Sequence, residues 1–188
     1  MKNLRFAVPK EARVALIAGG ARGLGRAIAL RLAFEGRDIA IVDLREEEAA
    51  CTVREIETTG VKAVFIKTDV TDVDAVRACV ENVYRQFSRI DILVCSAGIL
   101  GLEAPFMEQS SAQFDQVMRV NVYGTYNAHQ ATIPYMLQKG WGRCLTISSG
   151  ARHGSPNQVP YSVSKGAIFS FIRSLGNAYP KQGIFVNG

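Results

Sequence analysis

Short apolar runs rich in Val and Ile alternate along this chain with longer stretches whose apolar residues recur every three or four positions. The short runs lie at 14–18, 39–42, 63–66, 90–95, 144–147 and 184–186; the long stretches lie at 23–36, 46–59, 72–88, 111–138 and 161–179. A strand buried on both faces reads as a continuous apolar segment, so runs of this kind belong to a parallel sheet covered by helices. Six such strands, with crossovers long enough for right-handed βαβ units, predict an α/β fold: a Rossmann-like, doubly wound parallel sheet flanked by helices, forming one domain over 1–188. Thr71 or Asp72 is placed to cap the third helix, and Gly36, Gly60 and Gly140 to stop the helices before them.

An apolar content of 48% in 188 residues supports a packed core without disulfide or metal staples and excludes disordered and collagen-like classes. The net charge of +5 is spread over single basic residues, which argues against a nucleic-acid groove and for a small phosphate-bearing ligand. Cys51, Cys79, Cys95 and Cys144 lack CxxC spacing and a nearby histidine, and read as buried thiols of a reducing compartment, with no metal site. Residues 1–12 interleave charges with single apolar residues, unlike a signal peptide, and no apolar run is long enough to span a bilayer. A cytoplasmic address and no membrane contact are therefore expected.

Charge is unevenly shared: residues 1–94 carry 29 charged side chains and 95–188 carry 10. Stretch 111–138 has only Asp115 and Arg119, and 161–179 only Lys165 and Arg173. Helices so poor in charge either lie inside a larger monomer or are covered by another subunit, and the size of the apolar patch favours the subunit.

The first run leads directly into AGGARGLG at 18–25, so Gly19, Gly23 and Gly25 stand where a strand passes into a helix. A diphosphate reaches a helix N-terminus only where the backbone turns sharply and no Cβ blocks it, leaving free N–H groups and the helix dipole to meet the anion. Asp43 ends the second run, 20 residues past Gly23, where a carboxylate accepts hydrogen bonds from adenosine ribose hydroxyls. The same carboxylate repels a 2′-phosphate, which favours NAD over NADP. Arg22 and Arg45 are the residues able to meet such a phosphate, although each reads first as a solvated loop charge. Asp43 has a second reading, as the cap of the acidic helix that follows.

YSVSK places Tyr161 and Lys165 four residues apart near the start of a helix, on one face. A tyrosine acting as a base near pH 7 must have its pKa of about 10 lowered by about three units, roughly 4 kcal/mol, and a lysine cation one turn away acts in that direction. A surface pair is the plain alternative. The fifth run ends in TISS, setting Ser148 and Ser149 at the carboxyl edge of the sheet, where a hydroxyl can hold a substrate oxygen. Neither is a hydrolase nucleophile: the GxSxG elbow is absent, and His153 lies in a loop without triad order. His129 reads as a packed or solvated helical residue. No Lys-Ser/Thr follows the glycine turn, which excludes a phosphate-binding NTPase.

In this order, the glycine turn at 19–25, Asp43, TDVTD at 68–72, CSAG at 95–98, VNVYG at 120–124, ISS at 147–149 and YSVSK at 161–165 resemble the short-chain dehydrogenase/reductase family, over nearly the whole chain. The resemblance implies an NAD(P)-dependent oxidoreductase that interconverts a secondary alcohol and a ketone, on a small alcohol, sugar, steroid or 3-oxoacyl substrate. It implies that Tyr161 exchanges the proton, Lys165 depresses the pKa of that phenol and binds the nicotinamide ribose, Ser149 orients the substrate oxygen, and Asn121 supports a water-linked proton path. The implied cofactor contacts are Gly19, Arg22, Gly23, Leu24, Gly25, Asp43, Leu44, Asp69, Val70, Ala97, Gly98, Tyr161 and Lys165, with Asp69 and Val70 on the adenine side. A homo-tetramer or homo-dimer through 111–138 and 161–179 is implied as well.

The chain departs from the family pattern at several places. Ala18 stands where the family has threonine, and Cys95-Ser96 where it has two asparagines, so the tie between the glycine turn and the fourth strand is expected to loosen. The loop from Ser149 to Tyr161 is one residue short; counting back from Tyr161 selects Ser148, whereas strand register selects Ser149, which is preferred. Family members continue past GIFVNG with a lid, a helix and a last strand, so the chain is expected to be truncated before that strand, with roughly a quarter of the domain absent and a sheet edge open. These departures keep a second hypothesis in play, a non-catalytic dinucleotide-binding module or pseudoenzyme; the intact Ser149, Tyr161 and Lys165 argue against it.

Overall fold

The computed structural model describes residues 13–188; the opening residues 1–12, read above for a leader, lie outside the described residues. Strands β1 (Val14–Ala18), β2 (Asp38–Asp43), β3 (Ala63–Lys67), β4 (Ile92–Cys95), β5 (Gly142–Thr146) and β6 (Ile184–Asn187) alternate with helices α1 (Gly23–Phe34), α2 (Glu46–Glu57), α3 (Val73–Phe87), α4 (Ser111–Met118), α5 (Gly124–Lys139) and α6 (Val159–Ala178). The sheet has the order β3-β2-β1-β4-β5-β6, with every neighbouring pair parallel. Successive side chains of a strand point to opposite faces, and β1 divides accordingly. Val14, Leu16 and Ala18 join the core under α3, α5 and α6, while Ala15 and Ile17 join the core under α1 and α2. The order reverses between β1 and β4, which opens a crevice at their carboxyl ends, the ligand position of open α/β sheets.

The expected elements are present, with shifted boundaries. Of the two candidate caps for α3, Asp72 takes the role, its side chain accepting from the Asp74 and Ala75 N–H groups. β4 begins at Ile92 rather than Ile90. The preceding Asp91 is buried, and its carboxylate accepts from the Val14 N–H at 2.9 Å and from both Arg89 Nε and Nη2 at 2.8 Å. α6 begins two residues early, at Val159, because Pro160 fits a first helical turn.

The single helix expected over 111–138 is interrupted: a π-helical turn, Arg119–Tyr123, joins α4 to α5. Cys51 is also unlike its expectation, lying exposed on α2, whereas the other three thiols are buried. No helix among the described residues is long and apolar enough to cross a membrane.

Candidate active site

The glycine turn is built by close approach of backbones. A Cβ on Gly19 would overlap the Ala97 nitrogen, and one on Gly25 would overlap the Gly19 carbonyl oxygen, so α1 can pack against its own approach loop only through glycine. At Gly23 the space beyond the backbone is open. Arg22 occupies the N-cap of α1 without a side-chain hydrogen bond, which leaves the first-turn N–H groups facing outward. An uncapped helix start beside an unobstructed glycine fits a diphosphate. Leu24 and Leu44 expose apolar side chains near it.

The Asp43 carboxylate reaches into this turn: one oxygen accepts from the Ala21 N–H at 3.1 Å, the other from Leu44 at 2.8 Å and Arg45 at 3.2 Å. It does not cap α2, whose N-cap is Arg45. Arg45 lies 3.8 Å from Glu48, and Arg22 is exposed. Sequence reasoning missed Thr52, whose buried hydroxyl donates to the Ala21 carbonyl at 2.9 Å and pins the turn from α2; a threonine inside an acidic helix gives no signal of this.

Where Ala18 and Ser96 lack the polar side chains of the family pattern, the main chain ties the glycine turn to the end of β4. The Ser96 and Ala97 N–H groups both donate to the Ala18 carbonyl, at 2.8 and 2.9 Å. Farther along the crevice, Asp69 accepts from the Thr71 N–H at 2.8 Å, and Asn127 of α5 donates to the Val70 carbonyl at 3.0 Å.

At the other end of the crevice, Lys165 is only 6% exposed, so it is not part of a solvated surface pair. Its Nζ donates to the Ile147 carbonyl at 2.7 Å, where β5 ends, and lies 5.5 Å from the centre of the Tyr161 ring. Burial lowers the pKa of this ammonium. Ser149 starts a short helical turn, its Oγ accepting from the Ala151 N–H at 3.2 Å, whereas the Ser148 Oγ is buried without a hydrogen-bond partner among the described residues.

Asn121 stands in the π turn and is fully buried. Its Oδ1 accepts from the Ile99 N–H at 2.8 Å, and its Nδ2 donates to the Ile99 carbonyl and to the Ser164 Oγ, both at 2.9 Å. Ser164 in turn donates to the Tyr161 carbonyl at 2.7 Å. A Cβ on Gly98 would press on the Asn121 Oδ1 at 3.2 Å, so the loop after β4 and the π turn are in contact. Ser164 was not anticipated; its one signal is a small polar residue between Tyr161 and Lys165. Asn121 is thus linked through Ser164 to the Tyr161 main-chain carbonyl, while Lys165, beside the Tyr161 ring, is bonded separately to the Ile147 carbonyl, two residues before Ser149. Among the described residues no group of three or more His, Cys, Asp or Glu side chains is placed to hold a metal.

Comparison with known proteins places the chain in a family. The family model described as short chain dehydrogenase matches residues 13–188. The 2-dehydro-3-deoxy-L-rhamnonate dehydrogenase (NAD(+)) of Sphingomonas sp. (strain SKA58) is 36% identical over 183 residues, covering 97% of this chain and 72% of that protein. The 3-oxoacyl-acyl-carrier-protein reductase FabG of Staphylococcus aureus (strain N315) is 35% identical over 181 residues, covering 95% of this chain and 73% of that protein. Among solved structures, NAD+-bound xylitol dehydrogenase superposes with a TM-score of 0.91 at 34% identity, over 93% of this chain and 68% of that one. The family model spans the described chain and the relatives are covered to two thirds or more, so the chain belongs to the short-chain dehydrogenase family of NAD(P)-dependent oxidoreductases.

Proposed function

We propose that this chain, as one domain over residues 1–188, interconverts a secondary alcohol and a ketone using NAD. The observation that carries the reading is the burial of Lys165 beside Tyr161, with its ammonium fixed on the Ile147 carbonyl at the end of β5. In this reading Gly19, Gly23 and Gly25, with Arg22 and Leu24 beside them, hold the diphosphate; Asp43 and Leu44 hold the adenosine ribose. Asp69 and Val70 border the adenine, Ala97 and Gly98 line the crevice, and Tyr161 and Lys165 hold the nicotinamide ribose. When bound, the nicotinamide ring supplies or accepts the hydride. In oxidation the Tyr161 phenolate takes the hydroxyl proton of the substrate; in reduction the phenol gives a proton to the carbonyl oxygen. The Lys165 cation favours the phenolate, the Ser149 hydroxyl donates to the substrate oxygen, and Asn121 supports a water-linked path that refills the proton.

NAD is preferred because a 2′-phosphate would meet the Asp43 carboxylate, while Arg45 is turned toward Glu48. Two or four copies associate through the segment from α4 to α5 and through α6, which expose Tyr123 and Tyr126 on the first and Val163 and Phe169 on the second.

The test is reduction of NAD or NADP followed by absorbance with a panel of secondary alcohols and sugars. Tyr161→Phe is expected to lower kcat by about 10²–10⁴-fold, and Asp43→Ala to weaken NAD more than NADP. Turnover that survives Tyr161→Phe overturns the proton role; equal weakening of both cofactors overturns the NAD assignment. Tight cofactor binding with no turnover on any substrate would favour the binding-module reading instead.

A further inference from the structure

Asn121, Thr125 and His129 lie at i, i+4 and i+8 along the π turn and α5. A π turn breaks the regular ladder of N–H donors to carbonyls four residues back; here the Gly124 N–H reaches the Arg119 carbonyl instead. The Asn121 carbonyl, inside this turn, accepts from the Thr125 hydroxyl at 2.7 Å, a bond buried in the protein. One turn farther, His129 is 1% exposed, and its Nδ1 lies 2.8 Å from the Thr125 carbonyl. A carbonyl can only accept, so Nδ1 carries the proton and Nε2 is a bare lone pair, buried without a partner among the described residues. Against the same ring stand the Cys95 thiol of β4, 3.7 Å from Nδ1, and the edge of Phe171 of α6, with centroids 5.2 Å apart. The ring is therefore wedged between the sheet and α6, with its one donor aimed along the helix at the turn that carries Asn121.

We propose that Thr125 and His129 are positioning residues that clamp the π turn, so that the Asn121 side chain keeps its bonds to Ile99 and Ser164. The inference rests on the reading above for its effect on turnover, but not for its effect on structure. His129 fixes the Thr125 backbone, the Thr125 hydroxyl fixes the Asn121 backbone, and the Asn121 amide fixes the start of the loop after β4 and, through Ser164, the first turn of α6. The neutral ring suffices for this, since the charged form would place a second N–H at Nε2 with no acceptor.

The test pairs variants that differ by one donor. Thr125→Val removes the hydroxyl at nearly constant shape, and Thr125→Ser keeps it. His129→Leu removes the ring donor, and His129→Asn restores an amide N–H where Nδ1 stood. Two readouts are taken on the full chain: amide hydrogen exchange at Ile99, whose N–H is held by Asn121, and steady-state kinetics with NAD and a turned-over alcohol. Thr125→Val and His129→Leu are expected to speed Ile99 exchange about tenfold and lower kcat about tenfold, with KM and NAD affinity unchanged; Thr125→Ser and His129→Asn stay near wild type. Unchanged Ile99 exchange in Thr125→Val overturns the clamp. So does a His129→Asn variant as impaired as His129→Leu. Faster Ile99 exchange with unaltered kcat supports the clamp and removes Asn121 from the proposed proton path, so the two failures are told apart.

Discussion

Tyr161 and Lys165 are legible in the sequence because a side-chain pair on one helix face needs only the spacing of four; the partners that hold them are not. Lys165 is anchored on a main-chain carbonyl, Asn121 on both backbone groups of Ile99, and Asp43 on three N–H groups of nearby turns. Bonds to the backbone leave no residue pattern, so Thr52 and Thr125 carry no signal and Ser164 only that of a small polar residue between Tyr161 and Lys165. His129, packed or solvated by its place in a helical stretch, is packed. Burial pushes its pKa down from 6.5 to about 4, the Thr125 carbonyl opposing only in part. The groups facing it, the Cys95 thiol, the Phe171 ring and Thr125, are uncharged; burial raises the Cys95 pKa, which keeps that thiol protonated. The sign follows from linkage. Below pH 6.5 the unfolded chain takes a proton that the folded chain refuses, so stability falls as the pH drops from 6.5 toward 4, by on the order of 3 kcal/mol over the window. Urea midpoints at pH 7.5 and 4.5 check this: wild type is expected to lose more on acidification than His129→Asn, which has nothing to titrate there. Equal losses would place the acid sensitivity on other groups.

Elements buried on both faces were the easiest to read. Strands such as β1 and β2 are continuous apolar runs, and their bounds fall within a residue of the expectation. The π turn between α4 and α5 was invisible, because its residues Arg119–Tyr123 include no proline or glycine to mark a break. β4 shortened for a related reason: the side chain of Asp91 competes with the ladder, and a run of apolar letters does not record that competition. Glycine is the exception, since its requirement is steric and local. Gly25→Ala would force α1 away from Gly19, and we expect a stability loss of about 1–3 kcal/mol together with weaker NADH binding by fluorescence titration. Gly23→Ala meets open space and should cost about 1–2 kcal/mol, from its positive φ of 57° alone. If Gly25→Ala melted like wild type, the close approach of helix and turn would not matter to the fold.

Across the whole molecule, charge and exposed apolar surface divide the chain in the same way. The charged first half supplies α1, α2 and α3, with surface ion pairs such as Arg31–Glu35 and Lys67–Glu46, each worth little in water. The charge-poor second half supplies α5 and α6, on which the proposed subunit contact falls. Sedimentation at micromolar concentration should find a dimer or tetramer, and Tyr126→Glu with Phe169→Glu should shift it to monomer; a monomeric wild type would leave those faces to another function. Phe171 gives this surface a route inward, because its ring touches exposed Tyr126, at 6.0 Å between centroids, and buried His129, at 5.2 Å. A neighbour seated on Tyr126 would brace, through one phenyl group, the imidazole standing behind the crevice. Dilution that strips the neighbour away would then register first as slower turnover, before any cofactor is lost.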